Sequence, residues 1–331
     1  MAEIRFNEEG LVLSAHYAET MNEEVLPFLK AREKQQMAAG DGGKPLYCVA
    51  YPADAPQGTV LVLHGFTENA YKFSEVIYSL LQNGFSVVAY DQRGHGRSWR
   101  DEKVKPDTSL THVGKFNEYV RDLEAVCDTV LKGMPKPWMI FCHSMGGAVT
   151  SLFLERHPDV FARAVLCAPM IAPRRNNVPL FAVEGLCRAA KLAGKGKKRI
   201  FLSRPYNGPE DFATSCATGK ERFDWYDGVK HAERQFWNNG PSYDWTLESM
   251  KVTASILKKG EVEKIACPVR LYSADEDNSV LPEEQKLFIA RVRNGERVFV
   301  KSSRHEIYRS ADDVLFPWWH DVLQFLKGNI Q

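Results

Sequence analysis

Apolar positions along the chain gather into short runs of β-branched and aromatic residues, separated by amphipathic stretches. The runs at Tyr47–Tyr51, Thr59–Leu63, Ser86–Ala89, Trp138–Phe141, Ala164–Leu166, Val269–Tyr272 and Arg297–Val300 read as strands. Helical patterns lie between several of them. Asn69–Gln82 places Phe73, Val76, Ile77 and Leu80 on one face, and Asn117–Leu131 does the same with Val120, Leu123, Cys127 and Val130. Strand and helix in alternation predict an α/β fold with a mostly parallel sheet covered on both sides.

Two regions break the alternation. Met21–Met37 reads as helical after its internal Pro27 and Ala38–Gly43 as a loop, so residues 1–43 form an N-terminal extension. Between the strands at Ala164–Leu166 and Val269–Tyr272 lie about a hundred residues with helical patterns and no convincing strand, far more than one crossover needs. The reading is a core of residues 44–170 and 256–331, with a helical cap over 171–255.

Composition narrows the class. The 331 residues are 44% hydrophobic and 26% charged, with a net charge of +1, which argues against a disordered tail or a nucleic-acid binder driven by bulk charge. The seven cysteines, scattered without a Cys-x-x-Cys pair, argue against a disulfide framework or a zinc site and suggest a reducing compartment. No secretory start and no stretch near 20 apolar residues is present, so a cytoplasmic location is expected.

The chemistry concentrates at Trp138–Gly147, where a hydrophobic strand runs into Ser144 and then into the small residues Gly146-Gly147-Ala148. Such a strand-to-helix turn exposes a serine hydroxyl with a helix N-terminus behind it, where a developing anion is favoured. A serine needs a base to take its proton and an acid to orient that base. His305 follows the last predicted strand, at the sheet end where parallel strands place active groups. Between Ser144 and His305 the acidic turn Asp275-Glu276-Asp277 offers the acid; Asp277 is the choice and Asp275 the alternative. Oxyanion donors are expected from the backbone amides of Phe66, after the His64-Gly65 turn, and of Met145. His64 takes an orienting role next to the substrate, and the Gly-x-Gly of Asp91–Ser98 reads as a rigid loop that holds His95. There is no P-loop and no compact metal-ligand motif, so neither cofactor nor metal is expected.

These pieces together resemble the α/β-hydrolase superfamily, in particular the serine hydrolases typified by monoacylglycerol lipases and bacterial lysophospholipases. The resemblance rests on His64-Gly65-Phe66, Asp91-x-Arg93-Gly94-His95-Gly96-x-Ser98, His143-Ser144-Met145-Gly146-Gly147, the Asp277 turn and Arg304-His305-Glu306. The cap segment Gly240–Trp245, with Tyr243 and Trp245 as candidate substrate contacts, is also similar. One departure is Cys142, where the family's Gly-x-Ser-x-Gly motif begins with glycine. The resemblance implies Ser144 as nucleophile, Asp277 and His305 as its partners, and Phe66 and Met145 as oxyanion donors. The implied activity is hydrolysis of a monoacyl lipid, either monoacylglycerol or lysophospholipid. A short-chain esterase or acyltransferase with the same triad, or a silent binding module, is the alternative.

Cap residues 171–205 carry nine basic residues against the single acid Glu184, a local charge of +8 that leaves about −7 for the rest of the chain. Interleaved Leu180, Phe181, Val183, Leu186 and Leu192 suggest transient contact with an anionic membrane surface. A solvated basic helix packed through its apolar face is the competing reading.

Overall fold

The computed structural model describes residues 4–174, 178–201 and 203–328; Arg175, one of the nine cap cations, lies outside them. Eight strands make one central sheet: β1 (Lys34–Ala39), β2 (Pro45–Tyr51), β3 (Thr59–Leu63), β4 (Ser86–Tyr90), β5 (Trp138–His143), β6 (Arg163–Cys167), β7 (Val269–Ala274) and β8 (Gly295–Val300). Across the sheet they run β1-β2-β4-β3-β5-β6-β7-β8. β2 pairs antiparallel with both β1 and β4, and every pairing from β4 to β8 is parallel.

The continuous apolar runs have the two-sided burial of a covered parallel sheet, every residue of β3 and β4 being buried. Alternate residues feed opposite layers. Val60 and Val62 of β3 join Phe73, Val76, Leu80 and Trp319, beneath the helices Ser74–Gln82 and Asp312–Lys327. Leu61 and Leu63 join Val120, Leu123, Val149 and Phe153, from the helices Asn117–Thr129 and Met145–Arg156.

The expectation of helix through Met37 followed by a loop fails. The helical run ends at Arg32, Glu33 is extended, and β1 pairs with β2 from Lys34 opposite Ala50 to Ala39 opposite Pro45. Only Ala38 of β1 is buried, so no apolar alternation marks the strand in the sequence. Backbone pairing holds it at the sheet edge, where exposed lysine and glutamine side chains discourage further strand addition.

Between β6 and β7 lie the helices Leu180–Leu192, Lys220–Ala232 and Tyr243–Ile256. Tyr243–Ile256 packs on Leu180–Leu192 and on Met145–Arg156. Arg222 ties the middle helix to the body: its guanidinium donates to Glu75, Asp312, Ser14 Oγ and the Val12 carbonyl. The N-terminal segment therefore acts as a strap that receives a buried cap arginine. No helix among the described residues is long and apolar enough to cross a membrane.

Candidate active site

β5 ends at His143, and the helix Met145–Arg156 begins two residues later, which leaves Ser144 to make the turn alone. It does so at φ +49° and ψ −115°, a conformation L-residues rarely adopt. Two glycines make the turn possible. A Cβ at Gly146 would stand 2.6 Å from the Leu63 carbonyl oxygen, and one at Gly147 would stand 2.4 Å from Pro169 Cβ. Cys142, at the position where the family pattern has glycine, is fully buried in the core, its Sγ 3.4 Å from the Val165 carbonyl. The thiol fills core space, and the elbow keeps its path.

Ser144, His305 and Asp277 form one hydrogen-bonded chain. Ser144 Oγ lies 2.8 Å from His305 Nε2, and His305 Nδ1 lies 2.8 Å from Asp277 Oδ2. Nδ1–H donates to the carboxylate, which leaves Nε2 to accept the serine proton. The other Asp277 oxygen accepts the amides of Ser279 and Val280, at 2.8 and 3.0 Å. Burial alone would raise the Asp277 pKa, but His305 and these two amides hold it below the ordinary carboxylate value. Asp275, the alternative acid, is exposed and accepts the Ser302 amide instead.

The amides of Phe66 and Met145 donate to no protein group among the described residues. Gly65 brings the first of them close: a Cβ there would lie 2.9 Å from Ser144 Cβ and 2.8 Å from Glu68 Oε2. The Phe66 ring lies against Trp245, centroids 4.1 Å apart. Trp245 is thus a buried wall behind the oxyanion loop, whereas Tyr243 is half-buried and no hydrogen bond or ring contact links it to Ser144 among the described residues.

His64 is not a substrate contact. The Gln92 amide donates to its Nε2 at 2.9 Å, and its Nδ1 lies 2.8 Å from the Gly65 carbonyl, so both ring nitrogens are spent inside the protein. The orienting part of its expected role is the part the geometry permits. The Asp91–Ser98 loop is tied to its surroundings: Asp91 accepts the Ala70 and Arg97 amides, Arg93 is paired with Asp122 and Glu118, and His95 Nδ1 lies 3.0 Å from the Arg93 carbonyl, while the buried Gln92 Oε1 and His95 Nε2 have no partner among the described residues.

Sequence reasoning missed a cluster of buried charges beside these groups. Glu68 takes the His143 ring, the Gly65 amide, the Tyr308 hydroxyl and the Lys72 ammonium, and Lys72 also pairs with Glu306. Isolated charges in a sequence read as solvated, and only the fold brings these six residues together. Next to Thr67 and Glu306 opens a cavity of about 400 Å³, lined also by Tyr206, Cys216, Tyr226 and Lys230.

A two-sided parallel sheet that presents a strained serine beyond β5, an acid beyond β7 and a histidine beyond β8 defines an α/β-hydrolase. Within that class the chain belongs to the Hydrolase_4 family, described as serine aminopeptidase, S33, whose model matches residues 54–312. It is 28% identical to lysophospholipase L2 of Escherichia coli over 311 residues, covering 91% of this chain and 89% of that protein. Over 164 residues, 49% of this chain and 50% of that one, it is 32% identical to monoglyceride lipase of Rattus norvegicus. A thermostable carboxyl esterase from Bacillus coagulans, solved in complex with glycerol, superposes with a TM-score of 0.70 at 18% identity, covering 90% of this chain and 98% of that one.

Proposed function

We propose that this protein is a cofactor-independent serine carboxylester hydrolase acting on monoacyl lipids. The observation that carries the reading is the Ser144 hydroxyl 2.8 Å from an imidazole nitrogen placed to take its proton, beside two amides with no protein acceptor among the described residues. Ser144 Oγ attacks the ester carbonyl while His305 Nε2 takes its proton, and the oxyanion accepts from the Phe66 and Met145 amides. Collapse of the tetrahedral intermediate expels the alcohol with the proton from His305. Water, deprotonated by the same nitrogen, then releases the acid from the acyl-enzyme. Each oxyanion donor is worth about 3–4 kcal/mol of transition-state stabilisation.

The relation to lysophospholipase L2 along most of both chains supports a lipid ester as substrate. The hydroxyl- and charge-lined cavity beside Thr67 and Glu306 suits the polar alcohol half of such a molecule. Free thiols at all seven cysteines support a cytoplasmic location. Reaction with a fluorophosphonate tests the mechanism: a covalent adduct on Ser144 is expected, and folded protein that stays unlabelled contradicts it.

We further propose that the cap meets membranes through apolar side chains more than through charge. Val178, Leu180, Phe181, Leu186, Leu192 and Phe201 are all exposed, Phe181 by 79% and Leu192 by 90%, and only Cys187 of the helix Leu180–Leu192 is buried. Four of the nine cations are paired, Arg188 with Glu184, Lys191 with Asp244, Lys197 with Asp101 and Arg199 with Asp107. Lys195, Lys198 and Arg204 face no carboxylate among the described residues and remain for an anionic surface. Phe181→Ser/Leu192→Ser is expected to weaken sedimentation with anionic vesicles while leaving the fold intact; unchanged sedimentation counts against the surface.

A further inference from the structure

His143 precedes the nucleophile, and both of its ring nitrogens face acceptors. Nδ1 lies 2.8 Å from Glu68 Oε2 and Nε2 lies 3.1 Å from the His305 carbonyl oxygen. A carbonyl oxygen only accepts, so Nε2 carries a proton. Glu68 receives donors on every side: the Gly65 amide on the same oxygen, and the Tyr308 hydroxyl at 2.6 Å and Lys72 Nζ at 3.2 Å on the other. That environment keeps it ionised, so Nδ1 carries a proton as well. Burial alone would push His143 down, yet the Glu68 carboxylate more than reverses this and raises it.

The contacts of the pair fall at three places in the chain. The Gly65 amide held by Glu68 is one residue before the Phe66 amide, His143 is one residue before Ser144, and the carbonyl held by His143 belongs to His305 itself. We infer that Glu68 and His143 form a buried carboxylate–imidazolium pair that positions the oxyanion amide, the nucleophile and the base relative to one another. Neither side chain touches the reacting atoms, so both are positioning residues. The pair is enclosed on each side: Glu306 and the His305 ring, centroid 4.8 Å away, come from the base loop, Tyr308 at 5.1 Å from the turn after it, His64 from the turn that follows β3, and Lys72 from the start of the covering helix layer.

Side-chain ¹H–¹⁵N NMR of the wild-type protein with labelled histidines tests the protonation directly and needs no turnover. Two ring N–H signals from His143 are expected to persist at neutral pH, above the ordinary histidine pKa of about 6.5; a singly protonated ring there overturns the proposal. Glu68→Gln is expected to remove one of those signals at neutral pH and to lower kcat about 10²-fold with KM little changed, as for misplaced reacting groups. Wild-type kcat in Glu68→Gln also overturns it. Should Glu68→Gln not fold, Tyr308→Phe, which removes one donor to Glu68, is expected to give a smaller fall in kcat, and no fall contradicts the positioning role. The inference rests on the hydrolase reading, so fluorophosphonate labelling of Ser144 runs alongside. Absent labelling sinks that reading and leaves the NMR result standing, whereas intact labelling with an unprotonated His143 sinks only the pair.

Discussion

At the scale of single residues the site is built from strain and close approach. Ser144 sits at positive φ with no room to relax, because the Gly146 and Gly147 contacts fix the start of its helix. Replacing it with glycine removes the strain, whereas alanine keeps it. Ser144→Gly is therefore expected to be more stable than Ser144→Ala by about 1 kcal/mol in urea unfolding, and both to be inactive. Gly65 has the complementary constraint. Gly65→Ala puts a methyl group 2.9 Å from Ser144 Cβ, and it is expected to cut kcat about 10²-fold by moving the Phe66 amide, read by steady-state kinetics beside a far-ultraviolet spectrum that stays native. The serine, the histidine and the acid were legible in the sequence because each follows a strand whose apolar run is unmistakable. Glu68 and the charge of His143 were not, since a buried ion pair joins residues 75 positions apart and leaves no periodic mark.

At the scale of elements, strands buried on both sides announce themselves and the edge strand does not. β1 exposes every side chain but Ala38, so its existence depends on β2 and not on its own pattern. The cap divides in the same way. Helix Leu180–Leu192 buries only Cys187, whereas Lys220–Ala232 is fixed through Arg222. Arg222→Met leaves Glu75 buried without its cation and is expected to cost about 3–5 kcal/mol of stability, seen as a lower midpoint in thermal unfolding. A loss below about 1 kcal/mol would mean that the strap does not hold the cap.

At the scale of the whole molecule, charge is distributed so that pH reaches the site's supports from both ends. Helix Met145–Arg156 starts beside Ser144 and carries the buried Glu155 at its far end, where burial and then Glu261 push the carboxyl up to about 8. The helix C-terminus disfavours a negative charge there as well. The folded state thus keeps a proton that the unfolded chain releases near pH ~4.3. Stability from this group is complete below that value and falls as pH rises through about 8. Glu155→Gln, which never ionises, is expected to gain on the wild type by roughly 4 kcal/mol between about pH 5 and pH 9; a constant difference across that range would contradict the burial argument. Asp277 acts in the opposite sense: its lowered folded value gives stability above the ordinary carboxylate range that is lost as acid titrates it.

The central claim is that this arrangement hydrolyses a monoacyl lipid through Ser144. The most direct measurement is the hydrolysis rate of a monoacylglycerol and of a lysophosphatidylcholine with the same acyl chain, each run beside Ser144→Ala. Cleavage of at least one of them by the wild type, lost in Ser144→Ala, is the predicted result, and the ratio of the two rates gives the headgroup preference. Folded wild-type protein that cleaves neither, or Ser144→Ala that cleaves as fast as the wild type, would contradict the account.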